Sequence, residues 1–179
     1  EIFYEQAQGL AEGGVDLFIV ETMMDMLELR AAITGIGRLN RELGRHIPIQ
    51  AQVFIDTSGR MLLGTDIEAV MTTLEGLPGV DVLGLNCGVG PEHMREPMRF
   101  LSEASRTRLS VIPNAGIPIN VNDKAVFPLG PEDMARQLAE FVVEFGVNTV
   151  GGCCGTTPAH IAALVAAVGE RAPKERGIR

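Results

Sequence analysis

Residues 80–88 read VDVLGLNCG and residues 148–155 read NTVGGCCG. Each is a short apolar run, rich in Val and Leu, that ends in Gly and Cys. Such runs are the mark of strands buried on both faces of a parallel sheet. Three more stretches share the pattern: VDLFIVET at 15–22, IPIQAQVFI at 47–55 and LSVIPNAG at 109–116. Counted from Asp16, Pro48, Val80, Ser110 and Thr149, the intervals are 32, 32, 30 and 39 residues. A strand, a crossover helix and the next parallel strand take about 30 residues, so the spacing predicts repeated β/α units. The longest interval holds GIPINVNDKAVFPLG at 116–130, whose turn residues and paired apolar runs predict a small hairpin.

The segments between the strands carry helical signals. Met24 to Leu43 has apolar residues at 26, 27, 29, 33, 36 and 39, the spacing of one helix face. Gly130-Pro131-Glu132-Asp133 opens a helix through Phe145, with proline at its start and acids in its first turn. Thr156 or Thr157 caps the last helix, with Pro158 at its first position. Met23, Met24, Met26, Met94, Met98 and Met134 fall mostly on such helices and are expected to pack rather than ligate.

Residues 1–13 read as a helix ending at Gly13-Gly14, with no strand before it. Only five strands follow, where a closed (β/α)₈ barrel has eight and takes about 250 residues. The expectation is an α/β fold in which residues 1–179 carry about the last five strand-helix units of a TIM barrel, the N-terminal units being absent. The alternative is an open five-stranded sheet, whose outer strands would need cover.

The chemistry concentrates at the strand ends. Glu21-Thr22, Asn86-Cys87, Asn114-Ala115 and Cys153-Cys154 each follow an apolar strand, and the carboxyl ends of parallel strands are where such folds hold their sites. Cys87, Cys153 and Cys154 are all the cysteines of the chain. Three thiolates fill three corners of a tetrahedral Zn²⁺ site, and a zinc that does chemistry keeps the fourth corner open. Neighbouring strand residues point to opposite faces, so Cys153 and Cys154 can share a metal only where the strand ends. Gly151, Gly152 and Gly155 supply that freedom.

Composition excludes several classes. The chain has 179 residues, 46% hydrophobic, enough for one domain with a sizeable core. An odd cysteine count argues against a secreted disulfide scaffold. No stretch at the start of this sequence reads as a secretory leader and no apolar run approaches about 18 residues, so a cytoplasmic protein off the membrane is expected. A net charge of −8, without basic clusters, argues against nucleic acid as a partner.

GLNCGVGPEHM at 84–94, PNAGIPI at 113–119 and GGCCGTTPAHI at 151–161, with Glu21-Thr22 ahead of them, resemble the homocysteine S-methyltransferase family. The resemblance is to its homocysteine-binding domain and runs nearly end to end. GGCCGTTP followed by a small residue, His and Ile is most like the cobalamin-dependent methionine synthase branch. The resemblance implies a (β/α)₈ barrel with zinc on Cys87, Cys153 and Cys154. It implies a methyltransferase in which homocysteine binds as a zinc thiolate and takes a methyl group, giving methionine. The methyl would sit on cobalamin, recharged from methyltetrahydrofolate, on domains of the same or a partner chain. Glu21 would hold the substrate ammonium, or else serve as a hydrogen-bonding residue of the barrel mouth. Asn114 would orient substrate, approach the metal or pack at its turn, and Asn86 would act as a hydrogen-bonder beside Cys87. The glycine-rich strand end with which the family grips the amino-acid backbone is not in this sequence.

His46, His93 and His160 are expected at the surface or in helix caps. Two rival functions follow from the residues. GGCCGTTP, a glycine-rich loop running into a helix, could bind phosphate in a barrel enzyme. Alternatively, the chain is a zinc-binding barrel fragment without turnover.

Overall fold

The computed structural model describes residues 1–169 and 171–178, so residues 170 and 179 of the expected 1–179 domain lie outside it. In chain order the elements are α1 (Ile2–Glu12), β1 (Phe18–Met23), α2 (Met26–Leu43), β2 (Ile49–Val53), α3 (Ile67–Glu75), β3 (Val80–Asn86) and α4 (Pro91–Ala104). They continue through β4 (Arg108–Ile112), β5 (Ile119–Val121), β6 (Lys124–Val126), α5 (Pro131–Phe145), β7 (Thr149–Val150) and α6 (Pro158–Val168). All five expected strands pair in parallel in the order β1-β2-β3-β4-β7. The order follows the chain without reversal. A doubly wound sheet reverses at a switch point, whereas a singly wound one is the arrangement of a (β/α)₈ barrel. The fold is therefore α/β, a five-strand portion of that barrel arrangement. The hairpin expected in the long interval is β5-β6, antiparallel and exposed along both strands.

The two faces of the sheet differ. Ile49, Ala51, Val53, Leu83, Leu85, Leu109 and Val111 are fully buried in one core with Leu29, Ile33, Leu74, Met94 and Leu138 of the helices. On the other face, Gln50, Gln52, Asn86 and Ser110 are buried polar residues. The Gln50 and Gln52 side chains donate to Ser110 Oγ at 3.1 and 2.7 Å. Gln52, Gly84 and Ser110 share one row across three strands. A Cβ at position 84 would collide with Ser110, so the glycine is what lets Gln52 reach across β3.

Helix boundaries follow the expected chemistry. Asp25 caps α2 by accepting from the N–H groups of Leu27 and Glu28, both at 2.9 Å. Gly44 ends it in the left-handed conformation. Of the methionines, Met94, Met98 and Met134 are buried on helices, while Met23 is buried at the end of β1. Among the described residues no helix is long and apolar enough to cross a membrane. The sheet is open at β1 and at β7, and beside β1 lies a groove lined by Phe3, Ala7, Leu10, Phe18 and Ile36.

The turn between α4 and β4 is held from two sides. Glu75 Oε1 accepts from Ser105 Oγ at 2.6 Å, Arg106 N at 2.8 Å and Thr107 Oγ1 at 3.2 Å. From the C-terminal segment the Arg176 guanidinium donates to the carbonyls of Ser102, Ser105 and Thr107 at 2.7–3.2 Å. Partial burial alone would raise the Glu75 pKa, but the hydrogen bonds to its charged form outweigh it and hold the carboxyl below its ordinary value. A depressed carboxyl pKa contributes stability above the unfolded value, lost as pH falls through the folded one. Glu75→Gln is expected to lower the urea midpoint at about pH 7 and to narrow its fall between about pH 5 and pH 3. An unchanged acid dependence would contradict this role.

Candidate metal centre

Cys87 directly follows β3, Asn114 lies two residues past β4, and Cys153 and Cys154 lie just past β7. Neighbouring parallel strands thus bring the cysteines to one end of the sheet. The segment leaving β4 sits between the two cysteine loops and holds both. Ile112 O accepts from Cys87 N at 3.1 Å, and the next carbonyl, Pro113 O, accepts from Cys153 N at 2.8 Å. Consecutive carbonyls of an extended strand face opposite neighbours, so one strand end serves both loops. Asn114 Oδ1 accepts from Cys154 N at 3.1 Å, and Ala115 N donates to Cys154 O at 2.9 Å.

Regular pairing of the last strand stops at Val150, before the paired cysteines, as sharing one site demands. The turn at 154–155 is completed by Gly155 at φ +79°, and Phe127 packs so closely that a Cβ there would overlap its ring. Cys87 itself has φ +61°, a left-handed conformation uncommon outside glycine. Such backbone strain gathers where a side chain must be aimed.

The three sulfurs converge. Cys154 Sγ lies 3.8 Å from Cys87 Sγ and 3.9 Å from Cys153 Sγ, and all three lie within 4.8 Å of one another. A tetrahedral zinc with bonds of about 2.3 Å needs sulfurs about 3.8 Å apart, so the triad fits that ion. Burial, the neighbouring Cys87 and then Cys154 push the Cys153 thiol up to about 12. Three thiolates here require a cation, and binding one would release their protons. Cys87 and Cys153 are half-buried and Cys154 is exposed, which leaves the cluster approachable from solvent.

Glu21 and Asn86 sit at the same end. Asn86 is fully buried: its Oδ1 accepts from Thr22 N at 2.7 Å and its Nδ2 donates to Thr22 Oγ1 at 2.8 Å. These bonds hold Thr22 at φ +57°, within an irregularity of β1 between Val20 and Met23. Bulges of this kind re-aim side chains next to sites. Glu21, just before it, is exposed and has no hydrogen-bond or ion-pair partner among the described residues.

The histidines lie apart from the sulfurs. His46 pairs with Asp81 at 2.9 Å at the amino-terminal end of the sheet, and His93 pairs with Glu92 at 3.1 Å. His160 is buried rather than at the surface, in the cap of α6 that Thr157 forms. A phosphate loop needs free N–H groups. Here those of Gly151, Cys153, Cys154, Thr156 and Thr157 are taken by Val111 O, Pro113 O, Asn114 Oδ1, Cys153 O and His160 Nδ1. The site has little left to offer a phosphate.

A sequentially wound parallel sheet with a cysteine triad at its carboxyl end defines a barrel-type protein with a cysteine cluster that could hold a metal ion. Residues 1–168 match the family model described as homocysteine S-methyltransferase, and the chain belongs to that family. It is 47% identical over 178 residues to the methionine synthase of Mycobacterium tuberculosis (strain ATCC 25618 / H37Rv), covering 99% of this chain and 15% of that protein. The methionine synthase of Mycobacterium leprae (strain TN) is 47% identical over 168 residues, 94% of this chain and 14% of that protein. The chain thus spans about a seventh of the length of these relatives. Among solved structures, the metallated form of the homocysteine methyltransferase MmuM from Escherichia coli superposes with a TM-score of 0.63 at 27% identity, covering 92% of this chain and 51% of that one. Its apo form gives 0.61 at 27% identity over 93% and 56%.

Proposed function

We propose that the chain is the later part of a homocysteine-binding barrel domain, completed by N-terminal strand-helix units, that transfers a methyl group to homocysteine and gives methionine. The observation that carries the reading is the cysteine triad at tetrahedral spacing, in a chain of this family. Cys87, Cys153 and Cys154 would hold zinc. Its chemistry there is that of a Lewis acid that keeps the incoming thiol deprotonated near neutral pH. Three thiolate ligands would leave that site with a formal charge of −1, which would keep a substrate sulfur electron-rich and nucleophilic. Its bond to the methyl carbon would form as the donor's bond to that carbon breaks, the thiol proton going to solvent.

The chain's own residues then have defined tasks. The β4 end holds both cysteine loops, and Asn114 fixes Cys154 through its N–H. Asn86 keeps Thr22 in place and thereby aims Glu21, whose free carboxylate receives the substrate ammonium. The 47% identity to mycobacterial methionine synthases supports methylcobalamin as donor, recharged from methyltetrahydrofolate on other domains of the same or a partner chain. Free thiols of this kind suit a reducing compartment, the cytoplasm.

The test is methionine formation from homocysteine and methylcobalamin by the protein as the cell makes it, with and without a chelator. Metal-dependent methionine is expected, and none with any methyl donor would contradict the reading. In the same protein Glu21→Gln removes charge from the ammonium partner and not from the metal ligands. A charge-assisted hydrogen bond is worth about 1.5–3 kcal/mol, so homocysteine affinity is expected to fall roughly tenfold to a hundredfold with zinc content unchanged. Unchanged affinity would return Glu21 to a structural role at the barrel mouth.

A further inference from the structure

We infer that His160 is a positioning residue for the Cys153-Cys154 turn, tying the start of α6 to the segment that enters α5. It is the third residue of α6 and only 8% exposed. The backbone N–H of Thr157 donates to its Nδ1 at 3.2 Å, and the Thr157 hydroxyl lies 2.9 Å from the same atom. On the far side of the ring, Nε2 lies 2.9 Å from Leu129 O, which can only accept. The network therefore assigns the tautomer with the proton on Nε2.

The third helical position after a Thr cap is ordinarily Glu or Gln, whose side chain only has to accept from the cap N–H. Histidine does that and carries a donor on the opposite side of a rigid ring. The donor closes a circuit around Cys154. Leu129 N donates to Ala115 O at 3.0 Å, and Ala115 N donates to Cys154 O at 2.9 Å. Three residues beyond Cys154 the chain reaches Thr157, and His160 returns it to Leu129. A second observation points the same way: Phe127, two residues before Leu129, lies against Gly155 inside that circuit. The segment from β6 to α5 and the cysteine turn thus hold one another, and His160 is the side chain that joins them by hydrogen bonds.

This inference rests on the metal reading above, and its test separates the two. Cobalt(II) is the probe, because its absorption bands report tetrahedral thiolate ligation, in the protein as the cell makes it. His160→Ala is expected to weaken cobalt binding about tenfold, the lower end of the loss seen for groups that orient metal ligands. His160→Gln restores an acceptor for Thr157 N–H but no rigid donor opposite, so it should recover thermal stability and not cobalt affinity. Asp25→Ala removes a cap from α2 and is expected to lower thermal stability with cobalt affinity unchanged. ¹⁵N NMR of the metal-free protein should show Nδ1 bare and Nε2 protonated. Cobalt affinity within about twofold of the unaltered protein in His160→Ala would overturn the positioning role. So would affinity that follows thermal stability alike in all three variants, or the opposite tautomer. Failure of the unaltered protein to take up cobalt would overturn the metal reading itself.

Discussion

Serine in place of any one of Cys87, Cys153 and Cys154 is expected to strip the protein of stoichiometric zinc. Each thiol is a third of the ligand set, and the remaining pair leaves an open, weakly held ion. Cys154 should be the most severe loss, because its sulfur stands 3.8 and 3.9 Å from the other two and closes the cluster. Removing an outer partner of a metal site costs about 10–100-fold in affinity, and removing a ligand should exceed that. Elemental analysis after gel filtration reads the outcome directly. Full zinc in one variant would remove that cysteine from the site.

The second large effect concerns the 179-residue chain taken alone. Its sheet is open at β1 and β7, and Leu17 and Ile19, in and beside β1, are 38% and 48% exposed. The edge offers unpaired backbone groups as well as apolar side chains, and both drive association. The isolated polypeptide is expected to self-associate and to lack methyl transfer, while supplying the N-terminal barrel units should yield a dispersed, zinc-loaded domain. Sedimentation with a methyl-transfer assay decides. A monodisperse monomer with turnover would mean that five strands make a complete protein.

Much of this was legible in the sequence because local patterns decided it. The five apolar runs read as parallel strands at that spacing, and the hairpin between Gly116 and Gly130 followed from turn residues and surplus length. The end of α1 at Gly13 follows from local chemistry alone, whereas local chemistry offers Thr156 or Thr157 as the cap of α6 and the structure selects Thr157. The cysteines were legible as a set because each follows an apolar run that reads as a strand. How they are held was not. The carbonyls of Ile112 and Pro113 and the N–H of Ala115 are backbone atoms, which residue identity does not distinguish, and the PNAG turn between the two cysteine loops was their only trace. Asn86 read as a hydrogen-bonder beside Cys87, but its partner, Thr22, lies 64 residues away and depends on an irregularity in β1. Histidine 160 looked like a surface or cap residue because its link to Leu129 depends on how the hairpin segment returns.

The most direct test is calorimetric titration of homocysteine into the protein as the cell makes it, zinc-loaded and chelator-stripped, in buffers of different ionisation heat. Binding is expected only to the loaded protein, with about one proton released per homocysteine bound as its thiol ionises. Equal affinity with and without metal, or binding without proton release, would contradict it.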